Sequence, residues 1–323
     1  MQQRGTATPA AHTDASLVRR AAQRDRASVD ELCARHVSRL YALGYRLTGS
    51  HGRAVEFAAD AFARTLTAAD EIAREQLDFA TYAIVTAKAL FLERVEGGQT
   101  AGRARSSREA GWLWDDSESG SIARRQHEVM RLAAVTLPPT QRLVLALREL
   151  ERMNCAEIAA LGELSEVEVA QTLADARERL RVQLGLTEPK RAARPAACAA
   201  VVPLLSRYVD GELGGGELEA VEQHLESCEF CQPDLDDLQE ISRRYRTFVP
   251  ATPHDELAER VEAALVVAGF WKPAGSDGSR RRRVVALAAA ATALALAGIG
   301  LAYLLPGSGP ALHVDLPAPP PPP

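Results

Sequence analysis

Aromatic residues are scarce, 5 % of a chain of 323, and stretches in which apolar and polar residues alternate are almost missing. Both scarcities exclude a sheet-built protein, because half-buried strands favour aromatic and β-branched residues at a period of two. An excess of positive charge is also lacking: 38 Lys and Arg stand against 43 Asp and Glu, for a net charge of -5. Bulk charge therefore gives no reason for a polyanion partner, and a nucleic-acid surface would have to be local. The first residues hold no apolar run, and the five cysteines are odd in number, so a reducing cytoplasm is expected. No catalytic constellation is visible, and no enzyme activity is expected.

What is present is Ala, Leu, Glu and Arg at helical spacing, an all-α chain long enough for two or three small domains. Residues 1–13 are small and polar, and disorder is expected there. In 14–96 the apolar positions Val29, Leu32, Cys33, Val37, Leu40, Tyr41 and Leu47 follow a helical spacing of three and four, Gly49 ends the run, and further helices follow from Ala54 and from Leu77 to Val95. These predict a three-helix bundle. Residues 97–121 read as a linker, with Trp112 and Trp114 docking it onto a neighbour. From 122 to 185 a helix breaks at Leu137-Pro138-Pro139 and restarts toward Leu150. Two capping boxes follow, Asn154 with Glu157 and Ser165 with Glu168. A short helix, a glycine-containing turn and a longer helix make a helix-turn-helix pattern.

After a linker at 186–197, the stretch 198–248 carries the densest chemistry. His224 and Cys228 are four apart on a helical pattern, so imidazole and thiolate share a face, and Cys231 follows one turn on. Soft thiolates with imidazole suit tetrahedral Zn2+. Cys198 is the candidate for the fourth position, which water or another side chain could also fill. A thiol oxidoreductase reading of Cys228 and Cys231 needs a strand-helix-strand setting that this helical neighbourhood lacks. From Arg207 to Glu240 eleven acidic residues accompany a single arginine.

Residues 249–283 form a juxtamembrane segment with an amphipathic helix from Asp255 to Ala268. Arg280 to Arg283 then precede residues 284–305, which are free of charge and, at 1.5 Å per residue, span about 33 Å. One transmembrane helix is expected there. The arginines would place the preceding domains in the cytoplasm, giving a single-pass protein of the inner membrane with a proline-rich tail at 306–323.

Residues 14–94 and 137–184 together resemble regions 2 and 4 of an extracytoplasmic-function sigma factor. The residues that carry the likeness are Leu137-Pro138, Leu147-Arg148-Glu149-Leu150, Glu157-Ile158-Ala159, and Val169 to Leu173 leading into Ala176-Arg177 and Leu180. Cys198, Tyr208-Val209-Asp210-Gly211-Glu212-Leu213, His224 and Cys228-x-x-Cys231 resemble the zinc-binding anti-sigma domain. The first likeness implies core RNA polymerase and promoter DNA as partners. Glu56, Asp60, Phe62 and Arg64 are then the candidates for polymerase contact, and Ser165, Gln171, Thr172, Arg177 and Arg179 for DNA contact. The second implies Cys198, His224, Cys228 and Cys231 as metal ligands. The acidic stretch reads either as a solvated face or as a cover over a basic sigma surface.

Together these give a membrane-tethered sigma factor held inactive by its own anti-sigma domain, released by chain cleavage at the hands of a membrane protease, by loss of zinc, or by a competing partner. A second reading is a membrane-anchored anti-sigma or scaffold protein that holds another sigma factor. It draws on Arg53-Ala54-Val55-Glu56, where such factors carry an acidic stretch, and on a recognition helix in which acids outnumber arginines.

Overall fold

Side-chain caps start α-helices at Thr13, Asp25, Asp78, Asn154 and Ser165, and left-handed glycines end them at Gly49 and Gly211. The computed structural model describes residues 13–98, 118–162, 164–186, 194–248 and 252–271, and among these there are helices and no strand. All belong to one compact unit, Met1–Trp271.

The first bundle has five helices, two more than the periodicity predicts: α1 (Asp14–Ala22), α2 (Arg26–Thr48), α3 (His51–Thr67), α4 (Ala69–Glu75) and α5 (Phe79–Glu96). The extra boundaries come from local chemistry that the apolar pattern passes over. The Asp25 carboxylate accepts from Ser28 N at 3.2 Å and starts α2 afresh. Ala68, at φ -93° and ψ 12°, parts α4 from α3. Gln76 then ends α4 at a left-handed φ of 55°, and Asp78 caps α5 through Thr81 N at 2.7 Å, close to Leu77 where the sequence expects a helix to begin. Helices α2 and α3 lie so close at Gly44 that a Cβ there would come within 2.7 Å of the Phe57 ring.

The second bundle holds α6 (Glu118–Val135), α7 (Pro139–Glu151), α8 (Cys155–Ala160) and α9 (Glu166–Gln183). Pro139 opens α7 at a first-turn position where no N–H is missed. Both capping boxes form as the sequence predicts, around Asn154 and Ser165. Helix α6 begins four residues before Ile122, inside the expected linker.

Two 3-10 turns at Ala196–Ala200 and Val202–Leu204 lead into α10 (Leu205–Asp210), α11 (Gly215–Leu225) and α12 (Cys231–Thr247), and α13 (His254–Val267) follows. Two apolar cores result. A small one gathers Cys198, Val201, Leu205, Leu213, Val221, Cys231 and Leu238. The large one runs through both bundles and takes in Ile241, Tyr245 and Phe248 of the α12 end, with Leu257, Val261, Leu265 and Phe270 of the α13 segment. The residues read as a juxtamembrane helix are therefore part of the main core.

The expectation of a membrane-spanning helix, and with it of a single-pass inner-membrane location, is corrected. No helix among the described residues is long and apolar enough to cross a membrane. Residues 284–305, on which that expectation rested, lie outside the described residues, as do 1–12, Trp112 with Trp114, and the tail from 306.

Candidate metal centre and docking interface

The four predicted ligands converge. Cys198 sits in the first 3-10 turn, His224 in the last turn of α11, Cys228 in the connection that follows, and Cys231 is the first residue of α12. Their ligand atoms all lie within 4.8 Å of one another. Cys198 Sγ and Cys228 Sγ are 3.5 Å apart, and no cysteine is in a disulfide. Two thiolates on one tetrahedral zinc would stand about 3.8 Å apart, given Zn–S bonds near 2.3 Å. His224 Nε2 is buried with no hydrogen-bond partner, as a ligand nitrogen would be before metal arrives.

The thiols are not equivalent. Burial and then the two neighbouring thiols push Cys231 up to about 12. At Cys228 burial works the same way but is outweighed by the backbone N–H groups of Cys231 and Phe230, so its pKa falls below the ordinary value. Cys228 is the first to offer a thiolate. The set fits Zn2+, and zinc here would supply a structural staple joining the 3-10 turn, α11 and α12.

Directly beside this centre, acidic residues meet the arginines of the second bundle. Arg177 of α9 is 0 % exposed. Its guanidinium donates to Asp210 Oδ1 and Oδ2 at 2.6 and 2.8 Å, to Glu149 Oε1 at 2.8 Å and to Ser206 Oγ at 2.7 Å. Arg148 of α7 donates to Asp210 Oδ1 at 3.0 Å and to Glu212 Oε1 at 2.6 Å. Arg181 reaches Asp234 Oδ1 at 2.9 Å, and Arg194 holds the other oxygen of that carboxylate at 2.5 Å. Glu149, inside α7, also accepts from Ser242 Oγ at 2.8 Å and Arg246 Nε at 2.7 Å, both of α12. Burial alone would raise the Glu149 pKa, but Arg177 and its other donors hold it below the carboxylate range. Buried charges of both signs are thus paired, which is the condition for tolerating them.

The end of α12 and the α13 segment close over the first bundle. Arg46, buried in α2, donates to the carbonyls of Tyr245 at 3.0 Å and Arg246 at 2.7 Å, beneath the Phe248 ring. On α13, Glu262 takes a two-pronged pair from Arg26 at 3.1 and 2.7 Å, and Glu256 lies 2.8 Å from His51 Nε2. Arg24 donates to Phe270 O at 2.9 Å with its guanidinium over that ring. The sequence showed an apolar face on α13 but carried no sign of what it covers.

Two family models match the chain. Residues 127–180 match the model described as "Sigma-70, region 4", and residues 198–232 match the one described as "Putative zinc-finger". Both are regulatory, non-catalytic families, and together they support a sigma-like part fused to an anti-sigma-type zinc module. No curated protein and no solved structure matches the chain. The match at 127–180 contains Arg148 and Arg177, and the match at 198–232 contains Asp210 and Glu212, so the ion network joins one matched module to the other.

The DNA-contact candidates divide. Ser165, Gln171 and Arg179 are exposed and Thr172 is half-buried, while Arg177 is inside the network. Gln171 Nε2 donates to Asp175 at 2.8 Å, and Thr172 Oγ1 to the Glu168 carbonyl at 2.7 Å. The polymerase-contact candidates lie along α3. Asp60 accepts from Arg94 at 2.6 Å, Arg64 pairs with Glu93 at 2.8 Å, Phe62 is fully buried, and Glu56 faces Arg260 of α13 at 3.5 Å.

Proposed function

We propose that this chain is a transcription initiation factor of the sigma type whose region 4-like part is held closed by its own fused zinc-binding domain, with residues 14–96 acting as the region 2-like part. The observation that carries the reading is the burial of Arg177 between Glu149 and Asp210, with Arg148 and Arg181 engaged by carboxylates of the zinc domain. Phosphate contacts supply most of the sequence-independent affinity for DNA. Three arginines of the DNA-binding module committed to carboxylates cannot make them. Helix α13 adds a cover on α3, where Glu56 and Asp60 are the candidates for core polymerase. Because the linker keeps inhibitor and target on one chain, the effective concentration is on the order of millimolar and modest intrinsic affinity suffices.

The test compares the full zinc-loaded chain with Asp210→Arg/Asp234→Arg in binding to bacterial core RNA polymerase and in promoter-specific transcription. The wild-type chain should be silent and the variant should bind and initiate. Silence of both would leave the second reading, an anti-sigma or scaffold protein acting on a separate sigma factor. That reading has one observation in its favour: the exposed side of α9 presents Glu166, Glu168, Asp175 and Glu178 around Arg179, a poor surface for phosphate.

A further inference from the structure

The two sigma-like bundles also grip each other without help from the zinc domain. Helix α2 ends at Gly49, and the last carbonyls of a helix have no partner within it. Here two arginines of the second bundle supply the partners. Arg142 Nη1 of α7 donates to Leu47 O at 2.6 Å, and Arg131 Nη1 of α6 donates to Gly49 O at 2.7 Å. Both side chains are buried, 7 % and 4 % exposed, and each is fixed from its own side. Arg142 Nη2 donates to Val135 O and Leu137 O at 2.8 and 2.9 Å, and Arg131 is paired with Glu128 at 2.5 Å. The cations also meet the negative end of the α2 dipole.

The fit is steric as well. Gly49 has φ +63°, and a Cβ placed on it would fall 2.2 Å from Val135 Cγ1 of α6. The second bundle is seated where any larger residue would project. At the other end of the seam Lys88 of α5 donates to Leu161 O at 2.5 Å, in the turn between α8 and α9, and Arg39 of α2 pairs with Glu151 of α7. None of these contacts uses a residue beyond 186.

From these contacts we infer that the carbonyl end of α2 is a docking surface for the chain's own second bundle, so that the two sigma-like parts stay closed on each other after the zinc domain has been displaced. The inference rests on reading the two bundles as the parts that must separate to work. It makes release a two-step event: removing the zinc domain exposes Arg148, Arg177 and Arg181, and core polymerase then opens the seam as it binds.

The test uses the full zinc-loaded chain with a donor and an acceptor dye on non-cysteine anchors at Asp70 of α4 and Glu166 of α9, both exposed. Energy transfer should be as high in Asp210→Arg/Asp234→Arg as in wild type. Adding Arg131→Ala, or the rim pair Arg39→Ala/Lys88→Ala, which leaves both buried arginines in place, should lower it at least twofold with helicity unchanged. Loss of transfer in Asp210→Arg/Asp234→Arg alone would overturn the inference, and so would high transfer retained with both sets of seam substitutions. Polymerase binding measured on the same proteins separates the two ideas. An open seam without polymerase binding defeats the functional reading, whereas an early loss of transfer defeats the seam alone.

Discussion

At the scale of single residues, the side chains most informative about control are buried charges, and each carries a sign that can be checked. Removing Glu149 would take from Arg177 one of its two carboxylates and from Ser242 and Arg246 the acceptor they share, leaving Asp210 alone against the buried guanidinium. Breaking one side of a buried ion network costs about 3–5 kcal/mol, so Glu149→Ala should lose that much in urea unfolding, while Arg179→Ala, on an exposed side chain, should stay within about 0.5 kcal/mol. His127 gives a pH dependence. Its ring lies between those of Tyr45 and Phe248, each 5.7 Å away, and burial lowers its pKa to about 4. Between the unfolded value near 6.5 and about 4 the unfolded chain binds a proton that the folded chain refuses, so stability falls as pH falls across that window. The loss should approach about 3 kcal/mol and then level off below pH 4, and His127→Phe should remove most of that slope.

At the scale of elements, zinc ligand spacing was the most legible feature of the sequence. Cys198, His224, Cys228 and Cys231 could be named together because metal chemistry demands fixed spacings that the chain displays, and the structure brings their ligand atoms together. Helix boundaries were legible where capping boxes mark them, at Asn154 and Ser165, and at the start of α5 near Leu77, whereas the breaks that set α1 and α4 apart, at Asp25 and at Ala68, were missed. There a single carboxylate cap and a one-residue turn interrupt an apolar pattern that continues on both sides. Helix α13 was legible as a helix and misplaced as a juxtamembrane one, since an amphipathic pattern states that a face is buried without naming its partner. The zinc site predicts an element-scale outcome. The small core holds seven buried residues, two of them zinc-ligand cysteines, too few to fold alone. Cys228→Ser or His224→Ala should therefore lose about one zinc per chain, and amide exchange should become fast across α10 to the first half of α12 while α1 to α9 stay protected.

At the scale of the whole molecule, a net charge of -5 conceals a segregation that decides the architecture. Acids gathered between Arg207 and Glu240 meet arginines of α7 and α9, and the composition could not announce this because partners 62 and 64 residues apart, Arg148 with Asp210 and Glu212, contribute nothing to local pattern. If charge pairing rather than shape holds the zinc domain on α9, exchanging the signs should restore what reversing one sign destroys. Asp234→Arg alone should free the chain to bind core polymerase, because Arg181 and Arg194 would both face a like charge. Adding Arg181→Asp should begin to silence it again, with a coupling of about 1–3 kcal/mol in a double-mutant cycle. Silencing should return only in part, since Arg194 would still lie against the new arginine; adding Arg194→Asp should complete it. Polymerase binding that stays high in the exchanged proteins would mean that the interface is held by its apolar contacts, and that the arginines of α9 are covered as a by-product of docking.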